Sequence, residues 1–249
     1  MKLDVLYNAA THTWPELRDS VRRAEDEGFG TAWVYDHLSG SVFASDRMLE
    51  CFSLAGALAA VTSTIGIGTL VVNAANRTAG MTVTAAASLQ EISGGRFVFG
   101  LGAGAAPNTK WSEEQSLLGI ALPASMAARH ARLVEVLDLC DELWDPNRDP
   151  KWTGFPLPTP RPPVLLGVNS TALAEVGGRR CDALNVRLEH PQIAEFFAAA
   201  VEARRTSARA GTPLTLTAWT LMTPESRDPA GDLQGEFAAL GGHTLILVR

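Results

Sequence analysis

The sequence predicts an α/β fold of the (β/α)8 kind, a single TIM barrel over residues 1–249. Three observations predict it. Eight short apolar segments with strand character alternate with helical patterns along the whole chain, and strands separated by helices pair in parallel. Eight such strands close naturally into a barrel. No Gly-x-Gly-x-x-Gly follows the first strand, where a doubly wound dinucleotide-binding sheet needs its phosphate loop. Finally, 249 residues with 46% hydrophobic and 19% charged side chains suffice to bury one large core, a size that α/β barrels reach as one domain.

The elements follow in order. Leu3 to Tyr7 is a short apolar strand. Trp14 to Glu27 is its helix, with Thr13 as N-cap, Pro15 in the first turn, Leu17, Val21 and Ala24 on one face and Gly28 as the stop. Thr31 to Tyr35 is the second strand and Leu49 to Val61 its helix; Ile65 to Val72 is the third, followed by a helix over Thr82 to Ile92. Arg96 to Leu101 is the fourth strand. A long helix, Ala124 to Trp144, carries Leu133, Val136, Leu137, Cys140 and Leu143 at helical spacing before Pro146 ends it. Pro156 to Pro163 is an extended linker. Val164 to Val168 is the fifth strand, and Ser170 is placed to cap a helix over Thr171 to Val176. Ala183 to Arg187 is the sixth, with a helix from Gln192 to Ala210; Pro213 to Leu221 is the seventh. A helix from Asp232 to Leu240, stopped by Gly241-Gly242, precedes the eighth strand, Thr244 to Val248.

Composition narrows the function. With 27 acidic against 21 basic residues, a net charge of -6 and no Lys/Arg-rich run, a general attraction to nucleic acid is not supported, and a small molecule is the expected partner. Cys51, Cys140 and Cys181 are odd in number, far apart and in apolar settings, which reads as reduced structural thiols of a cytoplasmic protein. Asp4 falls where a secretory signal needs an apolar core. Residues 51–76 carry no charge and are long enough for a membrane span, but Thr62-Ser63-Thr64 interrupts the run. Its period also changes there from helical to β-like, so it reads as a buried helix and a buried strand, with no membrane partner.

The stretch from Ile65 to Gly104 carries the chemistry. Two strands end there in backbone-rich loops, Leu70-Val71-Val72-Asn73 and Gly102-Ala103-Gly104. In a barrel the C-terminal strand ends form the active-site face, and glycines let the main chain approach a flat, phosphate-bearing ligand. Their alternative is a tight turn at the strand end. Gly167-Val168-Asn169-Ser170 runs from a strand into a helix N-terminus, whose free N–H groups and dipole suit a phosphate; helix capping by Ser170 is the competing reading.

In order and spacing, Glu27-Gly28-Phe29 to Trp33, Asp36-His37-Leu38, Ile67 to Val71, Ile92 to Phe97 and Gly100 to Gly104 resemble the bacterial luciferase-like family of flavin or coenzyme F420 oxidoreductases. The Asp-His pair leans toward the F420-dependent branch. The resemblance implies a TIM barrel, commonly a homodimer, with the cofactor ring lying across the C-terminal strand ends. It also implies a non-proline cis peptide at Leu70–Val71 that supports the ring, and a role for His37 beside the reacting carbon. A flavin or deazaflavin carries the hydride itself, so the protein supplies a shaped slot, phosphate anchors and a proton donor, with no metal. His37 at a strand end can donate to a ring carbonyl or pass a proton near neutral pH, or it is a structural histidine. Asp36 orients His37, contacts the cofactor's polar edge, or caps the next turn.

The candidate catalytic residues are thus His37 and Asp36. The candidate cofactor-binding residues are Asp36, His37, Leu70, Val71, Gly102, Ala103, Gly104, Gly167, Asn169 and Ser170. Trp111 is a possible lid residue, while Glu113 and Glu114 read as solvated charges at a helix start and Arg96 as structural. Two positions depart from the family: its F420-dependent sugar-phosphate and alcohol dehydrogenases carry a glutamate where this chain has Ala105 and a tryptophan where it has Ser41. The linker around Lys151 to Pro163 is cut down, and the chain stops at its eighth strand with no final helix. The expected function is hydride transfer between F420 and a small organic substrate. The alternatives are an FMN-dependent luciferase-like monooxygenase and a non-catalytic flavin- or F420-binding barrel.

Overall fold

A computed structural model describes residues 1–249. Nine strand segments form one all-parallel sheet: β1 (Lys2–Tyr7), β2 (Thr31–Val34), β3 (Gly66–Thr69), β4 (Val72–Asn73), β5 (Phe97–Gly102), β6 (Val164–Gly167), β7 (Ala183–Arg187), β8 (Thr215–Leu221) and β9 (Thr244–Val248). β3 and β4 are two halves of the expected third strand, so the barrel has eight staves. β1 pairs with both β2 and β9, and β5 pairs with both β3 and β4, which closes the ring.

The helices are α1 (Trp14–Asp26), α2 (Cys51–Val61), α3 (Ala79–Ile92), α4 (Glu113–Leu117), α5 (Met126–Leu143), α6 (Thr171–Arg180), α7 (Ile193–Arg205), α8 (Pro224–Arg227) and α9 (Asp232–Ala239). Thr13 and Glu16 form a reciprocal capping box on α1, and Leu17, Val21 and Ala24 are buried as their spacing requires. The charge-free run at 51–76 is α2 followed by β3 and β4, and no helix is long and apolar enough to cross a membrane. Several boundaries shift. α3 begins at Ala79 because Thr78, not a later residue, accepts from the Met81 amide. α6 continues four residues past Val176 to Arg180, since Gly177 and Gly178 let it press against Leu184 and the α7 backbone at Ala200. The short α4 and α8 are additional elements; α8 has its own capping box from Thr223 and Ser226.

Side-chain alternation along the staves sorts the core into two layers. Val5 and Tyr7 face the helices and join a cluster of 49 buried residues between sheet and helix layer. Leu6 faces the lumen with Trp33, Leu70, Leu165, Ala183 and Ile246. Arg96, ahead of β5, donates to the carbonyls of Ala59, Thr62 and Ile65, so it tethers the end of α2 to the start of β3, the structural role its position predicts. The three cysteines are free and buried. Burial pushes the Cys181 thiol up to about 12.

Candidate functional site

The C-terminal ends of the staves surround a cavity of about 380 Å3. One wall comes from the segment after β2, with Tyr35, Asp36 and His37. The opposite wall comes from β6 and β7, with Gly167, Asn169, Asn185 and Arg187. Leu70 and Val71 lie between β3 and β4, and Gly102, Ala103 and Gly104 close β5. Nine of the ten residues expected to hold a cofactor therefore line one space. Ser170 is the exception: its hydroxyl accepts from the Leu173 amide at 3.4 Å as the N-cap of α6, and it does not reach the cavity.

The Leu70–Val71 peptide is cis, at the bond the resemblance implied. The Val71 side chain reaches across to β5 and β6, where a Cβ on Gly102 would lie 2.5 Å from Val71 Cγ2 and one on Gly167 3.0 Å from Val71 Cγ1. These glycines thus make room for the protein's own valine, which in turn fills the cavity wall. At Gly104 two demands coincide: φ is +76°, and a Cβ would fall 2.2 Å from Asn73 Oδ1. Packing against Val71 and Asn73 thus gives a reason within the chain for glycine at these positions.

Asp36 is occupied elsewhere than the sequence reading expected. Its carboxylate accepts both terminal nitrogens of Arg77, at 2.9 and 2.8 Å, together with the Asn73 amide at 2.9 Å and Asn76 Nδ2 at 3.2 Å. Arg77 also pairs with Glu50 and lies 5.1 Å from the Phe52 ring centroid. Partners on both sides raise the Arg77 pKa despite the burial that opposes it. Asp36 thus ties β2 to the β4–α3 turn, and its carboxylate makes no hydrogen bond to the His37 ring.

Glu114 is the larger correction. It is 3% exposed, not solvated. Its Oε1 lies 3.1 Å from His37 Nδ1, while Oε2 accepts from the Leu38 and Ser39 amides at 2.8 and 2.9 Å. Gln115 Nε2 adds a fourth contact at 3.1 Å and also donates to Asn76. Burial pushes the Glu114 carboxyl up, but the hydrogen bonds from His37 and the two amides, with the attraction of His37, hold it below the usual carboxylate range.

Around His37 the cavity is aromatic. Tyr35 stacks on Phe43 at 5.6 Å, Phe43 meets the His37 ring edge-on at 5.2 Å, and Trp111 lies 6.2 Å away. Burial pushes the Tyr35 phenol up to about 12, so it stays a neutral donor at ordinary pH. Asn185, Arg187 and Trp219 complete the far rim and are not among the residues the sequence motifs point to. For Asn185 and Arg187 the signal is the alternation along β7, where they face the lumen and Leu184 and Val186 face outward. His12 does not line the cavity; its Nδ1 bonds to the Asn8 carbonyl and Thr11 Oγ1.

Residues 2–232 match the sequence profile of a family described as luciferase-like monooxygenase. An F420-dependent glucose-6-phosphate dehydrogenase from Nakamurella multipartita is 29% identical over 177 residues, 67% of this chain and 50% of the relative. A 5,10-methylenetetrahydromethanopterin reductase from Methanolobus tindarius is 37% identical over 84 residues, 34% of this chain and 23% of the relative. The chain thus matches half or less of the length of these two relatives. Among solved structures, a monooxygenase from Streptomyces bottropensis superimposes with a TM-score of 0.69 at 18% identity, covering 97% of this chain and 75% of the other.

Proposed function

Because the chain belongs to the luciferase-like monooxygenase family, we propose that it is an oxidoreductase that holds the deazaflavin of coenzyme F420 in the barrel-mouth cavity and transfers a hydride between it and a small organic substrate. The observation that carries the reading is the presence, in one cavity, of His37 and of the Val71 side chain set into the notch at Gly102 and Gly167. The residues fit such a group. The volume falls within the range of about 300–1,000 Å3 typical of pockets that bury cofactors and drug-sized ligands. The walls combine apolar faces at Leu70, Val71 and Leu6 with a few polar groups, as a planar ring with a polar edge requires.

When bound, the deazaflavin supplies the two-electron hydride chemistry. The chain's own residues then divide the remaining work. Leu70 and Val71 would back the ring, and Gly102, Ala103 and Gly104 would border it. Gly167 and Asn169 lie just ahead of the first turn of α6, where the Thr171 and Ala172 amides lack intrahelical partners and suit the phosphate of the side chain. Ser170 and Asp36 serve this site indirectly, one by capping α6 and the other by fixing the β4–α3 turn. His37, with no hydrogen bond at Nε2 within the chain, moves the proton that accompanies the hydride. Alanine at 105 and serine at 41 argue against alcohol oxidation and favour reduction of an activated C=C or C=N bond.

The family description and the monooxygenase neighbour favour one second reading, an FMN-dependent monooxygenase. Fluorescence and calorimetric titration of the purified protein with F420 and with FMN separates the two. Tight F420 binding with FMN at least about tenfold weaker, a difference of about 1.4 kcal/mol, supports the proposal. The reverse order supports the second reading, and binding of both without turnover identifies a storage barrel. Binding of neither sinks all three. The cytoplasmic location and the homodimer belong to the same proposal, and light scattering of the purified protein tests the dimer.

A further inference from the structure

We infer that Glu114 is the positioning residue of His37, fixing its neutral form with the proton on Nδ1 and leaving Nε2 as the nitrogen that exchanges a proton with substrate. The inference rests on the functional reading above only for what the proton is used for. Its geometric basis is independent. The carboxylate of Glu114 is buried, and its two oxygens have different duties. Oε2 is held by the Leu38 and Ser39 amides at 2.8 and 2.9 Å, which directly follow His37 in the chain and can only donate. Oε1 faces His37 Nδ1 at 3.1 Å and, being an ionised carboxylate oxygen, can only accept. Nδ1 must therefore carry a hydrogen. The other nitrogen has no protein partner, and the ring lines the cavity among Tyr35, Phe43 and Trp111.

The pairing gives the step a direction and a balance. In a reduction, a substrate C=X bond gains the hydride at carbon from reduced F420 and the proton at X from Nε2 of protonated His37. The reduced cofactor would supply the two electrons as that hydride, and His37 is left neutral with its remaining proton on Nδ1, held by Glu114. In the reverse direction, Nε2 of that neutral form accepts the proton. Glu114 keeps its charge throughout and never meets the substrate. It comes from α4, a helix in the loop after β5, so both partners of the pair ride on loops at the active-site face.

Nitrogen-15 NMR of the imidazole in cofactor-free protein tests the pairing, because the two neutral tautomers have distinct shifts. In the wild type, neutral His37 is expected as Nδ1–H over Nε2–H by at least about 10 to 1, from a charge-assisted hydrogen bond. In Glu114→Gln, the Leu38 and Ser39 amides still require an acceptor, so they hold the amide oxygen and turn the NH2 group toward Nδ1. The tautomer is then expected to invert to Nε2–H. Predominant Nε2–H in the wild type, or an unchanged tautomer in folded Glu114→Gln, overturns the inference. If the variant does not fold, the wild-type tautomer alone decides. A parallel F420 titration distinguishes the two failures: absence of F420 binding in the wild type sinks the functional reading while the tautomer still decides the pairing.

Discussion

Glu25 and Asp4 are two carboxylates in opposite environments, and the barrel uses them differently. Burial pushes Glu25 up, but it accepts the Ser63, Thr64 and Ile65 amides, which together outweigh burial and bring its pKa down to about 2. Its folded value lies below the unfolded 4.5, so its contribution is present above about pH 4.5 and is lost as the pH falls through 2. Solvent reaches the site, so Glu25→Gln is expected to cost only about 1 kcal/mol at pH 7 and little at pH 2, read by urea unfolding. Asp4 is the reverse case. Burial in the lumen dominates and raises it to about 6, against a hydrogen bond from Trp33 Nε1 at 2.9 Å. Its folded value exceeds the unfolded 3.8, so stability falls as pH rises between about 4 and 6. Asp4→Asn is expected to gain about 2 kcal/mol at pH 8 and nothing at pH 4, and equal stability at both pH values would refute this. At the site itself, His37→Ala is expected to retain F420 affinity within about threefold while slowing F420H2-dependent reduction about a hundredfold.

At the scale of elements, the break between β3 and β4 decides the shape of the cavity. Val71 occupies the space that a side chain on Gly102 would take, at 2.5 Å, so the two positions are coupled across the gap between strands. Gly102→Ala alone is expected to cost about 1–3 kcal/mol by overpacking. Combined with Val71→Ala, the loss is expected to be smaller than the sum of the single losses by about 1 kcal/mol or more, and strict additivity in chemical denaturation would disprove the coupling. The β2 end and the β4–α3 turn form a second coupled pair through Asp36 and Arg77. Arg77→Met removes the bidentate partner of a buried carboxylate and is expected to cost about 3 kcal/mol, measured by the same method. It leaves Glu114 and His37 untouched, so their tautomer is expected to persist in the folded fraction.

For the whole molecule, closure of the ring by β1 and β9 means that the cavity mouth is assembled from segments distant in the chain. A ligand that binds only this closed state stabilises all of it, by about 2.7 kcal/mol at a concentration of 100 Kd. F420 is therefore expected to raise the unfolding midpoint, and FMN is not; a shift with FMN alone would reverse the cofactor assignment. The element order, the eight staves, the capped starts of α1 and α6 and the His37 position were legible because each depends on periods and caps within a few residues. The cis bond at Leu70–Val71 was reached through the family resemblance and not through local pattern. Only the tertiary structure decided what the site's polar groups do. Glu114 reads as a solvated helix-start charge until the loop after β5 folds back 77 residues to His37, and Asp36 reads as His37's neighbour until Arg77 takes both its oxygens. Backbone period and capping are local energies written along the chain, whereas the partner of a buried charge is chosen by desolvation, which acts on whatever the closed barrel brings within reach.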